Sequence, residues 1–488
     1  MSFLPAVVAW RTQALPALVT GVLILAAFNL GFRIDREIVT EWDESLYATT
    51  AWEMLRSGEW IGTTFHGALD YYNTKPPVSV WLVALSFKTL GVNLVALRLS
   101  SLIAAWLSVA VLLWWARKYL DQATGVWAGL VLATTFGLYY PHAGRTANTD
   151  ALFTLLVMLA VFTLWSARTR PWRLIGLGPI LAAVFLLRGM GVLLPVVIVV
   201  SYELVTYGVK RPGRWLPTAG ALALFLLPVT AWIVARWQVD QWKFLERVFW
   251  YDFVARSLSN IEEHPGSVFY YLDILQKHHY DWITATVFAL IVFPVSWAKA
   301  REFVRLRHDD TSPGTLLTIW AVVALLVPTL MRTKLPWYLH PFYPVFALGV
   351  GAVLAQAWGR AGTASGGWRS RRSVALAIVA VLALGVAEGK LIWYSYHHRD
   401  LSSSTQGLLL SQRDGLRGRT VFGRRWDRAE MFVIEALIGS THRLTRDVTD
   451  FLRDSQPGDF LMWSGEANDP ALTLVGAVRR HRLYKRIK

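Results

Sequence analysis

The chain has 488 residues, 54% of them hydrophobic, and a mean hydropathy of +0.38. That balance, delivered in long apolar runs, excludes a soluble enzyme and reads as a helical membrane protein, since about 20 apolar residues cross a bilayer core. Lysine and arginine number 49 against 33 acidic residues, a net charge of +16, and there is no cysteine, which excludes disulfides and thiolate metal sites.

Taken in chain order, the first apolar run, from about 15 to 32, lacks a small-residue cleavage site and reads as a retained first span, 14–32. A long polar insertion follows. Within it Ala48, Ala51, Trp52 and Leu55 recur at helical spacing and Gly58 is a natural stop. This predicts a helix over 44–57 with Asp43 at its start. Pro76 and Pro77 suit the start of another helix. Its apolar stretch, 77–90, is too short to span and is expected to lie at the interface. Ten further spans are predicted, near 97–116, 123–140, 150–166, 174–187, 190–207, 215–237, 282–298, 314–331, 339–358 and 373–392.

Placing the N-terminus in the cytoplasm puts every short basic connection on one side: Arg117 and Lys118; Arg168, Arg170 and Arg173; Lys210, Arg211 and Arg214; Lys299, Arg301, Arg305 and Arg307; Arg360, Arg369, Arg371 and Arg372. Cytoplasmic loops collect basic residues, so the positive excess reflects topology and calls for no nucleic acid. The outer side receives 33–96, 141–149, the turn at Arg188, 238–281, 332–338 and the tail. Residues 393–488 are polar and hold no span. Segments 420–423, 428–437, 448–452 and 459–463 read there as alternating strands and helices. Its basic end, 479–488, suits either a solvated strand or contact with anionic headgroups. The expected architecture is an α-helical polytopic membrane protein of about eleven transmembrane helices plus outer-face interfacial helices, 1–392, with a small extracytoplasmic α/β domain, 393–488. There is no internal repeat, Gly-rich phosphate loop or nucleotide fingerprint.

The ionisable residues collect on the outer side. Asp43 and Glu44 follow the first span and Lys75 precedes Pro76. His142, Arg145, Asn148 and Asp150 lie between spans three and four, and Arg188 at the turn between five and six. Glu262, Glu263 and His264 lie in the long outer loop, and Arg332, Lys334, Tyr338 and His340 flank span ten. Charges near membrane depth are costly and by default line a site or an aqueous cavity. Structural alternatives stand beside that: Asp43 and Asp150 as helix caps, Arg145 as an interfacial snorkelling residue. Together the carboxylates Asp43, Glu44 and Asp150 suit a general base for an acceptor hydroxyl. Lys75, Arg145, Arg188 and Lys334, with Tyr338 and His340, suit an anionic leaving group such as phosphate. A glycosyl phosphate fits, its sugar carbon attacked from one face while lipid phosphate departs from the other.

The segments Trp-Asp-Glu-Ser-Leu-Tyr-Ala (42–48), Glu-Met-Leu-Arg-Ser-Gly-Glu-Trp (53–60) and Tyr-Tyr-Asn-Thr-Lys-Pro-Pro (71–77) resemble the first outer loop of GT-C glycosyltransferases. The similarity continues through Arg98, Asp150 and Lys-Leu-Pro-Trp-Tyr-Leu-His-Pro-Phe-Tyr-Pro (334–344). Within that family the chain is most similar to lipid A aminoarabinose transferases and protein O-mannosyltransferases. The resemblance implies a polyprenyl-phosphate-linked sugar donor and inverting transfer on the periplasmic or lumenal face of the plasma (inner) membrane. It implies Asp43 as the catalytic carboxylate, Lys75 and Asp150 lining the same cavity, and Lys334 and Tyr338 on the donor side. Lipid A transferases tend to carry a phosphate-binding lysine at the turn where this chain has Arg188, and arginine keeps that charge with a bidentate grip. They also often carry Glu beside the Lys-Pro motif, where this chain has Asn73-Thr74.

The expected function is a polyprenyl-phosphate-sugar-dependent glycosyltransferase acting on a glycolipid, polysaccharide or protein acceptor, with membrane lipids as its surroundings. Two other readings stay open. A transporter or flippase of an amphipathic lipid would show inverted halves and broken midplane helices. A lipid-linked polysaccharide ligase would share the outer-face layout. No cofactor is assigned; a divalent metal is left open, with Glu263 and His264 as its candidates.

Overall fold

The computed structural model describes residues 4–209, 213–255, 266–294, 313–362, 367–425 and 427–488. After α1 (Leu4–Gly31), the outer insertion folds into α2 (Asp43–Ser57), a small hairpin of β1 (Thr64–Phe65) and β2 (Ala68–Leu69), and α3 (Val78–Leu90). Both helices predicted for this insertion form. α2 stops where Gly58 turns left-handed, at φ 74°, and returns its N–H to Met54 O at 3.0 Å.

The helical bundle continues with α4 (Leu94–Tyr119), α5 (Gln122–Ala133), α6 (Phe136–Tyr139), α7 (Asp150–Ser166), α8 (Leu177–Arg188), α9 (Leu193–Tyr207), α10 (Trp215–Asp240) and α11 (Lys243–Arg247). A π-helical turn, Val248–Ala255, leads on to α12 (Tyr270–Val292), α13 (Gly314–Leu330), α14 (Tyr343–Gly362) and α15 (Gly367–His398). Side-chain caps set two of the starts: Asn93 accepts the Ala96 N–H and Asp121 the Thr124 N–H, each at 2.8 Å. Among the described residues, 6 helical stretches are long and apolar enough to cross a membrane. Four shorter apolar helices, α3, α5, α7 and α13, accompany them. The chain is thus a multi-pass membrane protein.

The boundaries differ from the sequence expectation in instructive places. The span expected at 123–140 breaks after Ala133 into α5 and α6. Those at 174–187 and 190–207 become α8 and α9, joined by the tight turn Gly189–Val192. The one expected at 282–298 is preceded by a polar helical stretch that starts at Tyr270 and meets it at a kink at His279; the helix ends at Val292, and the expected residues past 294 lie outside the described residues. The one expected from 339 is entered through a 3-10 turn, Pro336–Phe342, with prolines at 336 and 341.

Small residues let the bundle close at backbone distance. A Cβ on Gly351 of α14 would lie 2.6 Å from the Ala128 nitrogen of α5. Close backbone approach of this kind carries helix association where lipid is as apolar as the interface. Broad rings fill other gaps, as where Trp115 of α4 stacks on Phe162 of α7 at 4.5 Å between centroids.

The C-terminal unit contains α16 (Thr405–Ser411), α17 (Arg413–Leu416), β3 (Thr420–Gly423), α18 (Arg428–Met431), β4 (Thr441–Leu444), α19 (Val448–Asp454), β5 (Phe460–Ser464), β6 (Leu472–Val478) and β7 (His481–Arg486). Its five-stranded sheet has the order β4-β3-β5-β7-β6. β3 is parallel to β4 and β5, while β7 is antiparallel to β5 and β6. The α/β character was expected; β4 and the β6–β7 hairpin were not. The basic end becomes β7, paired on both sides.

Its core is not its own. Ala48, Ala51 and Met54 of α2 and Val83 and Phe87 of α3 share one apolar cluster with Val421, Phe432 and Val433. The Phe87 and Phe432 rings stack at 5.9 Å. The outer insertion is therefore held between bundle and sheet, and the line expected at 392/393 does not divide the hydrophobic core.

Candidate active site

The chain reverses sharply at Trp42, whose φ of 71° is unusual for a residue with a side chain. α2 then begins, and its first two residues diverge. Asp43 lines a cavity of about 1000 Å³, with 40% of its side chain exposed. Glu44 turns inward and is buried. It accepts hydrogen bonds from Arg98 at 2.7 Å, Thr40 N–H at 2.8 Å, Ala147 N–H at 3.2 Å and Arg399 at 3.4 Å.

The polar side of the cavity is assembled from helix ends. Asp150 is the first residue of α7 and Arg188 the last of α8, and the two form an ion pair. Each charge complements the dipole of its own helix end. The Arg188 guanidinium also lies over Phe153 at 4.9 Å and Tyr338 at 5.8 Å. Lys75 and Tyr72 enter from the segment ahead of α3, Tyr251 from the π-helical turn, and Tyr338 and Trp337 from the 3-10 turn. His142 lines the wall beside Asp43, its Nδ1 3.4 Å from Asp43 Oδ2, and its ring stacks on Trp337 at 3.8 Å. The rest of the wall is apolar: Leu193 and Leu194 of α9 face the same space as Val327 of α13 and Met331. The volume stands at the upper end of ordinary small-molecule sites, roughly 300–1,000 Å³.

Of the residues given a catalytic or phosphate-binding role from the sequence, Asp43, Lys75, Asp150, Arg188 and Tyr338 meet in this cavity, beside His142. Four do not. Glu44 is spent on the buried pairs above. Arg145 is buried under the loop, pairing with Glu37 at 2.6 Å and donating to the carbonyls of Asn29, Leu30 and Phe32, so it secures the end of α1. Lys334 donates to the carbonyls of Pro328, Thr329 and Met331 and so caps the C-terminus of α13. His340 is buried behind the wall, 3.9 Å from Asp150, and neither ring nitrogen makes a hydrogen bond. Glu263 and His264 lie outside the described residues. Among the described residues no group of at least three His, Asp or Glu is placed to hold a metal ion.

Sequence reasoning missed the contact of His142 with Asp43, and also the buried acid Glu37. Glu37 accepts from Arg145, Ser395 at 2.9 Å and Tyr140, and pairs with Arg399 at 3.5 Å. Its partners are more than a hundred residues away, so no local pattern announces it.

A bundle with its outer loop clamped under a small sheet, and a cavity combining the part-exposed carboxylate of Asp43, cations and an apolar wall, describe a multi-pass membrane protein with a built outer-face cavity. Comparisons with known proteins set it beside membrane glycosyltransferases. Residues 74–232 match the dolichyl-phosphate-mannose-protein mannosyltransferase family. The undecaprenyl phosphate-alpha-4-amino-4-deoxy-L-arabinose arabinosyl transferase of Pseudomonas aeruginosa (strain LESB58) is 32% identical over 351 residues, 69% of this chain and 60% of that protein. Its counterpart in Pseudomonas paraeruginosa is 31% identical over 75% of this chain and 65% of that protein. The chain thus spans about three fifths of the length of the curated relatives it matches. In overall fold it superposes on the crystal structure of ArnT from Cupriavidus metallidurans bound to undecaprenyl phosphate. That match has a TM-score of 0.71 at 18% identity and covers 97% of this chain and 98% of that one. The archaeal oligosaccharyltransferase AglB from Archaeoglobus fulgidus follows with a TM-score of 0.56 at 12% identity, covering 87% and 64%.

Proposed function

We propose that this chain transfers a sugar, with inversion, from a polyprenyl-phosphate carrier to a glycolipid, polymer or protein acceptor on the periplasmic side of the inner membrane. The observation that carries this is the composition of one cavity: the half-open carboxylate of Asp43, the cations Arg188 and Lys75, and an apolar wall from α9 and α13. The arabinosyl transferases it resembles are named for an undecaprenyl phosphate donor, and this wall suits a lipid tail of that kind. Arg188, oriented by Asp150, and Lys75 hold the phosphate and stabilise its growing charge as the glycosidic bond breaks. Asp43 takes the proton from the acceptor hydroxyl or amine as that atom attacks the sugar carbon. Residues 1–392 supply this chemistry and 393–488 cover the outer loop. The arabinosyl transferases it resembles are transferases by name, which favours this reading over that of a flippase.

The test is release of polyprenyl phosphate from labelled polyprenyl-phosphate sugars by protein in lipid nanodiscs, with acceptor present. Asp43→Asn is expected to lower turnover by about 10²-fold or more, the usual range for losing a positioned acid–base group, while donor binding persists. Turnover retained in that variant would remove Asp43 from the chemistry.

A further inference from the structure

The carboxylate that receives the acceptor's proton must lose it again before the next turnover, and the wall holds one side chain suited to that step. We infer that His142 takes this proton from Asp43. The inference rests on the transferase reading above and deepens it.

His142 Nδ1 lies 3.4 Å from Asp43 Oδ2. That nitrogen is closed off from solvent and makes no hydrogen bond, so it is held toward the carboxylate without being spent on another partner. The ring is fixed from its flat side by Trp337, at 3.8 Å and an interplanar angle of 14°. Its backbone stands at φ 55°, a left-handed conformation that only a few per cent of residues with side chains adopt. A costly backbone state and an aromatic clamp together aim one nitrogen at one oxygen.

Charged and titratable groups face this corner from several elements. Asp43 comes from α2, Lys75 from the segment ahead of α3, Asp150 and Arg188 from the ends of α7 and α8, and Tyr338 and His340 from the 3-10 turn. Asp150 is engaged by Arg188, and His340 has no hydrogen bond. Among the described groups of the cavity wall, His142 is the imidazole with a nitrogen lying toward Asp43.

The step balances. As the acceptor oxygen bonds to the sugar carbon, the carbon–oxygen bond to phosphate breaks and the phosphate leaves with the electron pair. The acceptor proton passes to Asp43 and then to His142 Nδ1. The imidazolium beside the restored carboxylate then gives up a proton from its other nitrogen, Nε2, to cavity water.

His142→Gly removes the ring and suits the left-handed backbone, since glycine adopts positive φ freely, so folding is preserved. It also opens a slot against Trp337 the size of an imidazole. Turnover of the polyprenyl-phosphate sugar is expected to fall about tenfold or more in His142→Gly and to recover with added imidazole. Asp43→Asn should gain nothing from imidazole. Turnover of His142→Gly within about twofold of wild type overturns the proposal, and so does a loss that imidazole leaves unrepaired, which would make His142 a packing residue. If Asp43→Asn keeps its turnover, the base itself is misassigned and both readings fall; if only His142→Gly keeps it, the transferase reading stands alone.

Discussion

Asp43 and Glu44 are neighbours in sequence and opposite in circumstance. Asp43 meets the cavity with its side chain part-exposed, while Glu44 is fully enclosed between Arg98 and Arg399. Burial alone would raise the Glu44 pKa, but the attraction of Arg98 and then Arg399 outweighs it, and the group is held down to about 2 from 4.5. A carboxylate depressed in the folded state contributes stability that is complete above its unfolded pKa. That contribution is lost as pH falls from about 4.5 through about 2. Thermal unfolding of the wild type should therefore drop steeply as the medium is acidified through that window. Glu44→Gln should start lower, by a few kcal/mol because it takes a charge partner from two buried arginines, and should then show a shallower acid dependence. Equal slopes would show that the protonation of other groups sets the acid limit.

At the scale of elements, the segment carrying Tyr72 and Lys75 is held by a residue far away in sequence. Arg428 of α18 pairs with Asp70 at 2.8 Å and lies over the Phe65 ring of β1 at 4.0 Å. Asp70 in turn accepts the Tyr72 N–H at 2.9 Å, and its own N–H reaches Thr63 O at 2.8 Å. The sheet unit thus sets the wall on which Lys75 sits. Arg428→Ala is expected to raise the KM for donor about three- to tenfold with kcat nearly unchanged, since binding and not bond-making is disturbed. Arg428→Lys should restore part of it, keeping charge without the planar contact. Steady-state kinetics on the two variants decide this; an unaltered KM would reduce the clasp to a surface contact.

For the whole molecule, the shared core predicts one unfolding unit where the chain outline suggested two. Phe432 is fully buried against Phe87 of α3. Removing its ring leaves a void, and Phe432→Ala should cost about 3–5 kcal/mol. If the outer insertion and sheet unfold together, tryptophan fluorescence and proteolysis of the α2–α3 loop should report the same lowered transition. A transition confined to the sheet, with the loop still protected, would show that the two units are energetically independent.

Much of the architecture was written locally. Apolar runs, the basic loops, the Gly58 stop and the Pro76-Pro77 start depend on residues a few positions apart, so hydropathy and turn chemistry expose them, and α2, α3 and α4 form where expected, while α1 starts about ten residues before its expected span. The cavity residues Asp43, Lys75, Asp150 and Arg188 were legible for a similar reason: a charge at the edge of an apolar run is costly and therefore conspicuous. The sequence could not sort those charges by use. Glu44, Arg145 and Lys334 sit in the same kind of position, and only the three-dimensional arrangement shows Arg98, Glu37 and the end of α13 consuming them. Nor did it disclose that His142 meets Asp43, or that the sheet shares its core with α2 and α3. Partnerships between residues tens to hundreds of positions apart leave no periodic trace, and burial, which decides whether a charge is a tool or a strut, is a property of the packed molecule.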